Sequence, residues 1–306
     1  MKVDLVYTWV DDTDSIWLRK RNSYLHETTE VEIENRYDDH EELKYSLRSV
    51  ENFTPWINNI YIVTDRQKPA WLKDSDKIKI INHDEIIPSQ YLPTFNSSVI
   101  ELFIHRIPGL SEHYLYLNDD MLFGRSLNFS DFYADEFTPY AFTSSIFQKN
   151  KKSRKNIDYH QESIINARNQ VFVSHGKNIN FSFRHSVKSY IKSRVKYVFD
   201  KYSDHLLSAA NDRFRKTPVN IDYLYLYHEI AEKKAKPRYI RSLRSKPVSF
   251  LKNRTYLYIN KNNEKLISEI DNLNPFMICM NSVTSSDYLE KLFSVTNLRF
   301  KSQYEK

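Results

Sequence analysis

The sequence predicts an α/β fold: a mixed, largely parallel sheet flanked by helices, with a basic helical lobe attached. Three observations carry that expectation. Between residues 3 and 117, short runs of β-branched and aromatic residues alternate with amphipathic helical stretches. Acidic clusters fall where two of those runs end, the place where open α/β sheets bind ligands. Hydrophobic residues make up 41% of the 306 residues, with 22 Tyr and 18 Phe, enough for one large domain or a core with an appended lobe.

Residues 3–10 (VDLVYTWV) meet no breaker before Asp11 and Asp12, and read as a buried strand. Asp11, Asp12 and Asp14 then lie in the loop at its end. From Asp39 to Phe53, Leu43, Leu47 and Val50 recur at i, i+4 and i+7, which predicts an amphipathic helix stopped by Pro55. Its other face carries Glu41, Tyr45 and Arg48. Strands are expected at 60–64 and 78–81. Ser97 or Ser98 caps a helix that runs to about Ile107 and ends at Pro108-Gly109. The next strand, His113–Leu117, leads directly into Asn118-Asp119-Asp120. This alternation is Rossmann-like. Past Phe147 the residues become basic, and 158–171, 185–202 and 217–234 read as helices. Short strands at 256–259 and 276–280 and a helix near 285–293 complete the chain. The expected organisation is an α/β core over 1–147, a basic helical lobe over 148–254, and a segment over 255–306 that returns to the core.

Composition removes several functional classes. Phosphate-cradling loops need several glycines, and Gly109, Gly124 and Gly176 are the only three, so a P-loop and a GxGxxG dinucleotide site are excluded. The lone Cys279 excludes a disulfide framework and zinc sites built from cysteines, and fits a reducing compartment. No Gly-x-Ser-x-Gly, HExxH or DxDxDG pattern occurs, which sets aside serine hydrolases, zincins and EF-hands. The opening residues lack the pattern of a signal peptide and no apolar run reaches a membrane span, so a cytoplasmic protein is expected. The net charge of +6 conceals an asymmetry: residues 149–256 hold 25 Lys and Arg against 8 Asp and Glu, a surface suited to an anionic partner. Within it, Val187, Ile191, Val195, Val198 and Tyr202 form an apolar stripe amid Lys188, Lys192, Arg194 and Lys196. That pattern fits peripheral contact with the inner face of an anionic membrane, or a helix facing the core.

Adjacent Asp119 and Asp120 at a strand end suit Mg²⁺ or Mn²⁺ bridging a diphosphate, with Asn118 as a flanking donor; a turn or helix cap uses the same residues. Arg36 and Arg48 are candidate bidentate phosphate clamps, Arg48 being equally placed for helix ion pairs. His105 lies one helical turn from Glu101, as a carboxylate-oriented general base would, or as half of a surface pair. His185, beside Arg184, reads as an anion ligand, a base or a structural histidine. Trp9, Trp56 and Trp71 are core residues or sugar-stacking walls.

Taken as whole segments, the sequence resembles the Stealth family of sugar-1-phosphate transferases. This family includes bacterial capsular polysaccharide phosphotransferases and the lysosomal-enzyme N-acetylglucosamine-1-phosphotransferase. Residues 4–14 (DLVYTWVDDTD) resemble its first block, with Asp12 in place of the usual Gly. The second block runs from Arg36-Tyr37-Asp38 through HEELKYSLRSVE (40–51), PWI (55–57), IYIVTDRQKPAWL (60–72), LPTFNS (92–97), HRIPGL (105–110) and YLNDDMLFG (116–124). His185 and the stretch from Arg213-Phe214-Arg215 to Tyr227-His228 resemble the third block. Cys279-Met280-Asn281-Ser282 resembles the fourth, with Ser282 where the family has Asp. The resemblance implies transfer of hexose-1-phosphate from a nucleotide diphosphate sugar to a sugar hydroxyl of an oligosaccharide or polysaccharide, as in capsular or exopolysaccharide synthesis. Asp119 and Asp120 would then hold Mg²⁺ or Mn²⁺, and Arg36, Arg48 and Arg215 would neutralise phosphate oxygens. A histidine, one of His83, His105, His113 and His185, would accept the hydroxyl proton. Tyr7, Thr8, Trp9, Asp11, Asn118 and Asn281 would line the substrates. The alternative on the same fold is a metal-dependent glycosyltransferase whose acidic pair acts like a DxD motif. A nucleic-acid binder is not expected, because carboxylates in the groove repel a polyanion.

Overall fold

The computed structural model describes residues 1–27, 37, 39–145, 157–242, 255–259, 270–280, 286–294 and 296–306. Arg36 and Asn281 lie outside the described residues. Strand β1 (Val3–Thr8) is followed by α1 (Ser15–Asn22), which Asp14 caps by accepting from the N–H groups of Ile16 and Trp17. Next come α2 (Glu42–Phe53), β2 (Ile60–Thr64), β3 (Ile78–Asn82), the single turn α3 (His83–Ile86), α4 (Ser97–Phe103) and β4 (His113–Asn118). The chain continues through β5 (Met121–Phe123), the turn α5 (Phe129–Phe132), β6 (Tyr133–Asp135), β7 (Thr138–Thr143), α6 (Tyr159–His175), β8 (Lys188–Ile191), α7 (Lys192–Lys201), α8 (Ser203–Leu207) and α9 (Ile221–Ala231). The remaining elements are β9 (Lys236–Tyr239), β10 (Arg241–Ser242), β11 (Thr255–Tyr258), α10 (Ile270–Leu273), β12 (Met277–Cys279) and α11 (Ser286–Phe293).

The main sheet has the order β3-β2-β1-β4-β8, parallel except for the antiparallel edge strand β8. The fold is therefore the expected mixed α/β sheet. The connections leave β1 on one side toward β2 and return on its other side at β4, so the crevice between β1 and β4 is a topological switch point. Alternate residues bury against opposite layers. Val6, Tyr61, Val63, Tyr114 and Tyr116 share a core with residues of α4, α7 and α9. Leu5, Tyr7, Ile60, Ile62, Leu115 and Leu117 share the other with Leu43 and Leu47 of α2 and with Met277 and Cys279. Three short strands, β6-β7-β9, and a second sheet, β10-β11-β12-β5, stand beside the main one.

Two expectations change. The 185–202 stretch is a strand followed by a helix: Tyr190 pairs with Tyr114, and the helix begins only at Lys192. Its apolar residues Val187, Ile191, Val195, Val198 and Tyr202 are all buried, and Lys188 is buried too, donating to the Ser186 carbonyl at 2.7 Å. The protein core thus occupies the apolar face that contact with lipid would need. Among the described residues no helix is long and apolar enough to cross a membrane. Because β8 completes the main sheet and α9 shares its core, a boundary at 147 does not separate two cores. In the C-terminal segment, β12 pairs antiparallel to β5.

Candidate functional site

Register builds the site. Thr8 pairs with Asn118 at the carboxyl ends of β1 and β4, so the residues that follow each strand emerge side by side. There they border a cleft of about 160 Å³ lined by Thr8, Trp9, Asn118, Asp119, Arg215 and an aromatic wall. The wall is Trp17, Tyr37 and Phe95, with Trp17 edge-on to Tyr37 at 5.3 Å and to Phe95 at 5.7 Å. Arg215 arrives from a segment tied to the α4 entrance: the Phe95 N–H donates to the Arg213 carbonyl at 2.9 Å, and Arg215 Nη2 donates to Ser97 Oγ at 2.7 Å. Five residues singled out from the sequence therefore meet at one opening.

The floor of the site is acidic. Desolvation holds the half-buried Asp119 carboxyl well above its usual range, and Asp120, Glu42 and Asp39 raise it further. Asp39, desolvated but gripped by Trp9 Nε1 at 3.2 Å and by the Glu41 N–H, is pushed up to about 6. Burial pushes Glu42 up to about 7, although its carboxylate accepts from the His40 N–H at 2.7 Å. Asp120 Oδ1 is buried with no hydrogen-bond partner. A buried carboxyl raised by its acidic neighbours, beside an aspartate with an orphaned buried oxygen, fits a site for a divalent cation.

Beside Asp120 stand two further donors. His185 Nε2 is 4.0 Å and Cys279 Sγ 3.5 Å from Asp120 Oδ2, and the three ligand atoms all lie within 4.8 Å of one another. The His185 side chain is 39% accessible. Desolvation nevertheless pushes its pKa down to about 4, with Lys188, His160 and Arg215 adding to the effect and Asp120 opposing it. His185 is accordingly neutral at pH 7, with a lone pair available to a proton or a metal.

Other predicted residues sit elsewhere. Tyr7 is buried beneath α2, its hydroxyl sharing a hydrogen bond with Ser46 Oγ at 2.7 Å, so it orients that helix and does not face the cleft. The Asp11 carboxylate accepts from Thr13 N and Oγ1 at 2.8 and 2.6 Å and shapes its own loop. Arg48 is buried and engaged by both oxygens of Glu305 at 2.6 Å, which leaves it no phosphate to clamp. His105 packs on Phe199 with ring centroids 5.0 Å apart, while Glu101 accepts from the Tyr116 hydroxyl at 3.1 Å; the two do not pair. Sequence reasoning gave no role to Asp39, Glu42, Cys279 or the aromatic wall. Glu42 and Cys279 stood within the segments quoted above, but only the pairing of β5 with β12 brings Cys279 to Asp120.

Residues 1–29 match the family model described as Stealth protein CR1, conserved region 1, and residues 36–141 match Stealth protein CR2, conserved region 2. The chain is 47% identical over 138 residues to the capsular polysaccharide phosphotransferase LcbA of Neisseria meningitidis, a match covering 43% of this chain and 38% of that protein. It is 33% identical over 324 aligned positions to the capsular polysaccharide phosphotransferase fcs1 of Haemophilus influenzae, covering 97% of this chain and 84% of that protein. A solved galactosyltransferase, LgtC in complex with donor and acceptor sugar analogues, aligns over 96% of both chains at 12% identity with a TM-score of 0.46, too loose a likeness to argue from.

Proposed function

The chain belongs to the Stealth family, and on that premise we propose that it transfers hexose-1-phosphate from a nucleotide diphosphate sugar to a saccharide hydroxyl, forming a phosphodiester in capsular or exopolysaccharide synthesis. One observation carries the reading: Thr8, Trp9, Asn118, Asp119 and Arg215, from three distant stretches of sequence, converge on a single cleft above an acidic floor. The acceptor hydroxyl oxygen attacks the sugar-bearing phosphorus, the pyrophosphate P–O bond breaks, and nucleoside monophosphate leaves. Such a transfer asks the protein mainly for positioning and charge neutralisation.

Asp119 and Asp120 are the residues that would hold Mg²⁺ or Mn²⁺, whose charge would offset that of the pyrophosphate oxygens; the orphaned Asp120 Oδ1 fits that role. Arg215 neutralises a phosphate oxygen from the opposite wall. Thr8, Trp9 and Asn118 border the donor, and Trp17, Tyr37 and Phe95 form an apolar wall of the same cleft that excludes water. His185, neutral and beside Asp120, takes the hydroxyl proton at Nε2. Arg36 and Asn281, which lie outside the described residues, are proposed as further substrate ligands on the family resemblance alone. The acceptor is itself an anionic polymer, to which the excess of Lys and Arg in the sequence 149–256 is suited.

The test is Asp120→Ala. Transfer is expected to fall by about a hundredfold to a thousandfold or more, with near-ultraviolet circular dichroism and unfolding midpoint unchanged. A folded Asp120→Ala protein that transfers at the wild-type rate without metal sinks the proposal.

A further inference from the structure

We propose that Asp120, His185 and Cys279 form a binding site for a thiophilic, zinc-class divalent ion, distinct in donor set from the oxygen-only site that Asp119 and Asp120 offer to Mg²⁺. The inference deepens the reading above and shares two residues with it, Asp120 and His185; an ion held at His185 Nε2 occupies the lone pair that the transfer uses as its base, so the ion-bound state and the transferring state exclude one another. A zinc-class ion in tetrahedral coordination holds oxygen and nitrogen donors at about 2.0–2.1 Å and sulfur at about 2.3 Å, which sets donor–donor edges near 3.3–3.6 Å. The Asp120 Oδ2–Cys279 Sγ separation is already 3.5 Å, His185 Nε2 lies 4.0 Å from Oδ2, and all three donor atoms lie within 4.8 Å of one another.

The backbone holds these donors together. Cys279 pairs with Met121 across the β5–β12 ladder, and the Met280 N–H donates to the Asp120 carbonyl at 2.8 Å. Just after His185, the Val187 N–H contacts Met277 Sδ on β12 at 3.1 Å, and just before it the Arg184 N–H donates to the Phe142 carbonyl at 2.9 Å. The Tyr256 hydroxyl hydrogen-bonds Cys279, the kind of outer contact that orients a ligand. A single cysteine excludes zinc centres built from several thiolates, but not one thiolate in a mixed set. That thiolate also sets selectivity, since Mg²⁺ and Mn²⁺ prefer oxygen donors and zinc-class ions accept sulfur. On binding, the Cys279 S–H bond breaks, the proton passes to the buffer, and the sulfur electron pair forms the bond to the metal.

Cobalt(II) is the probe, added to the metal-free protein without nucleotide sugar. The expected result is a sulfur-to-cobalt charge-transfer band in the near ultraviolet at one equivalent, displaced by zinc and not by excess Mg²⁺. Cys279→Ser is expected to abolish the band, and His185→Ala, at a partly exposed position, to weaken cobalt binding at least about tenfold while the protein stays folded. A wild-type protein that binds cobalt with no such band, or a His185→Ala protein with unchanged affinity, overturns the proposal. A protein that transfers with Mg²⁺ yet lacks the band refutes this inference alone. The band in a protein without transfer refutes only the reading of function.

Discussion

Glu101 shows how one residue escapes a local pattern. Its spacing from His105 implies a pair on a continuous α-helix, but α4 ends at Phe103 and tightens into a 3₁₀ turn over Ile104–Arg106. His105 is carried onto Phe199, where burial pushes it down to about 4, and Glu101 faces Tyr116. Desolvation pushes Glu101 up to about 8 from its ordinary 4.5; Asp222 adds to the rise, while Arg215, the Tyr116 hydrogen bond and Lys188 oppose it. A carboxyl raised in the folded state keeps a proton that the unfolded chain has released. Stability therefore falls as pH climbs from about 4.5 to about 8, and levels off beyond. Glu101→Gln removes that loss. Urea midpoints of the variant are expected to gain steadily on the wild type between pH 5 and 8, whereas parallel profiles would contradict the assignment.

At the scale of elements, legibility followed length and periodicity. The strands β1 to β4 and helix α2 read correctly because each repeats its hydrophobic period long enough to be seen. Helix α7 was foreseen, but its start was not: apolar residues four apart span both a strand and a helix when the chain changes conformation between them, and only pairing with β4 decides. Strands β5 and β6 hold three residues each, too few for any period to show, whereas β12 falls within the strand expected at 276–280. Gly124 lies just past β5. A Cβ there would sit 2.5 Å from Pro275 Cγ and 2.6 Å from the Pro275 carbonyl oxygen, so the residue is glycine for close approach to the β12 segment. Gly124→Ala is expected to cost about 1–3 kcal/mol by denaturant unfolding and to loosen the β5–β12 ladder that carries Cys279. A change below about 0.5 kcal/mol, the range of an ordinary surface substitution, would contradict this.

Across the whole molecule, the longest-range contacts were the least legible. Arg48 engages Glu305 through Nε and Nη2, and Nη1 donates to the Leu298 carbonyl at 2.9 Å, all more than 200 positions away in sequence. No local spacing reveals such a partner, so a phosphate clamp was the natural reading of that arginine. Burial alone would raise the Glu305 pKa, but the Arg48 hydrogen bonds and the Ser302 N–H hold it below its usual value. The pair fastens the end of the chain onto α2, whose first turn supplies Glu42 to the acidic floor. Glu305→Gln breaks a buried pair by one partner and is expected to lower stability by about 3–5 kcal/mol, read from denaturant midpoints; an unchanged midpoint would show that the closure is incidental. The cleft itself was legible in outline, because strand ends can be read from sequence and ligands bind beyond them. Its aromatic wall and acidic neighbours were not, since they come from loops and from a helix whose packing no periodicity fixes.

The most direct measurement follows the phosphorus atoms. The protein is incubated with Mg²⁺, a panel of nucleotide diphosphate sugars and capsule oligosaccharides, and watched by phosphorus NMR. A new phosphodiester resonance growing in step with nucleoside monophosphate is the predicted result; release of nucleoside diphosphate with no diester would contradict it.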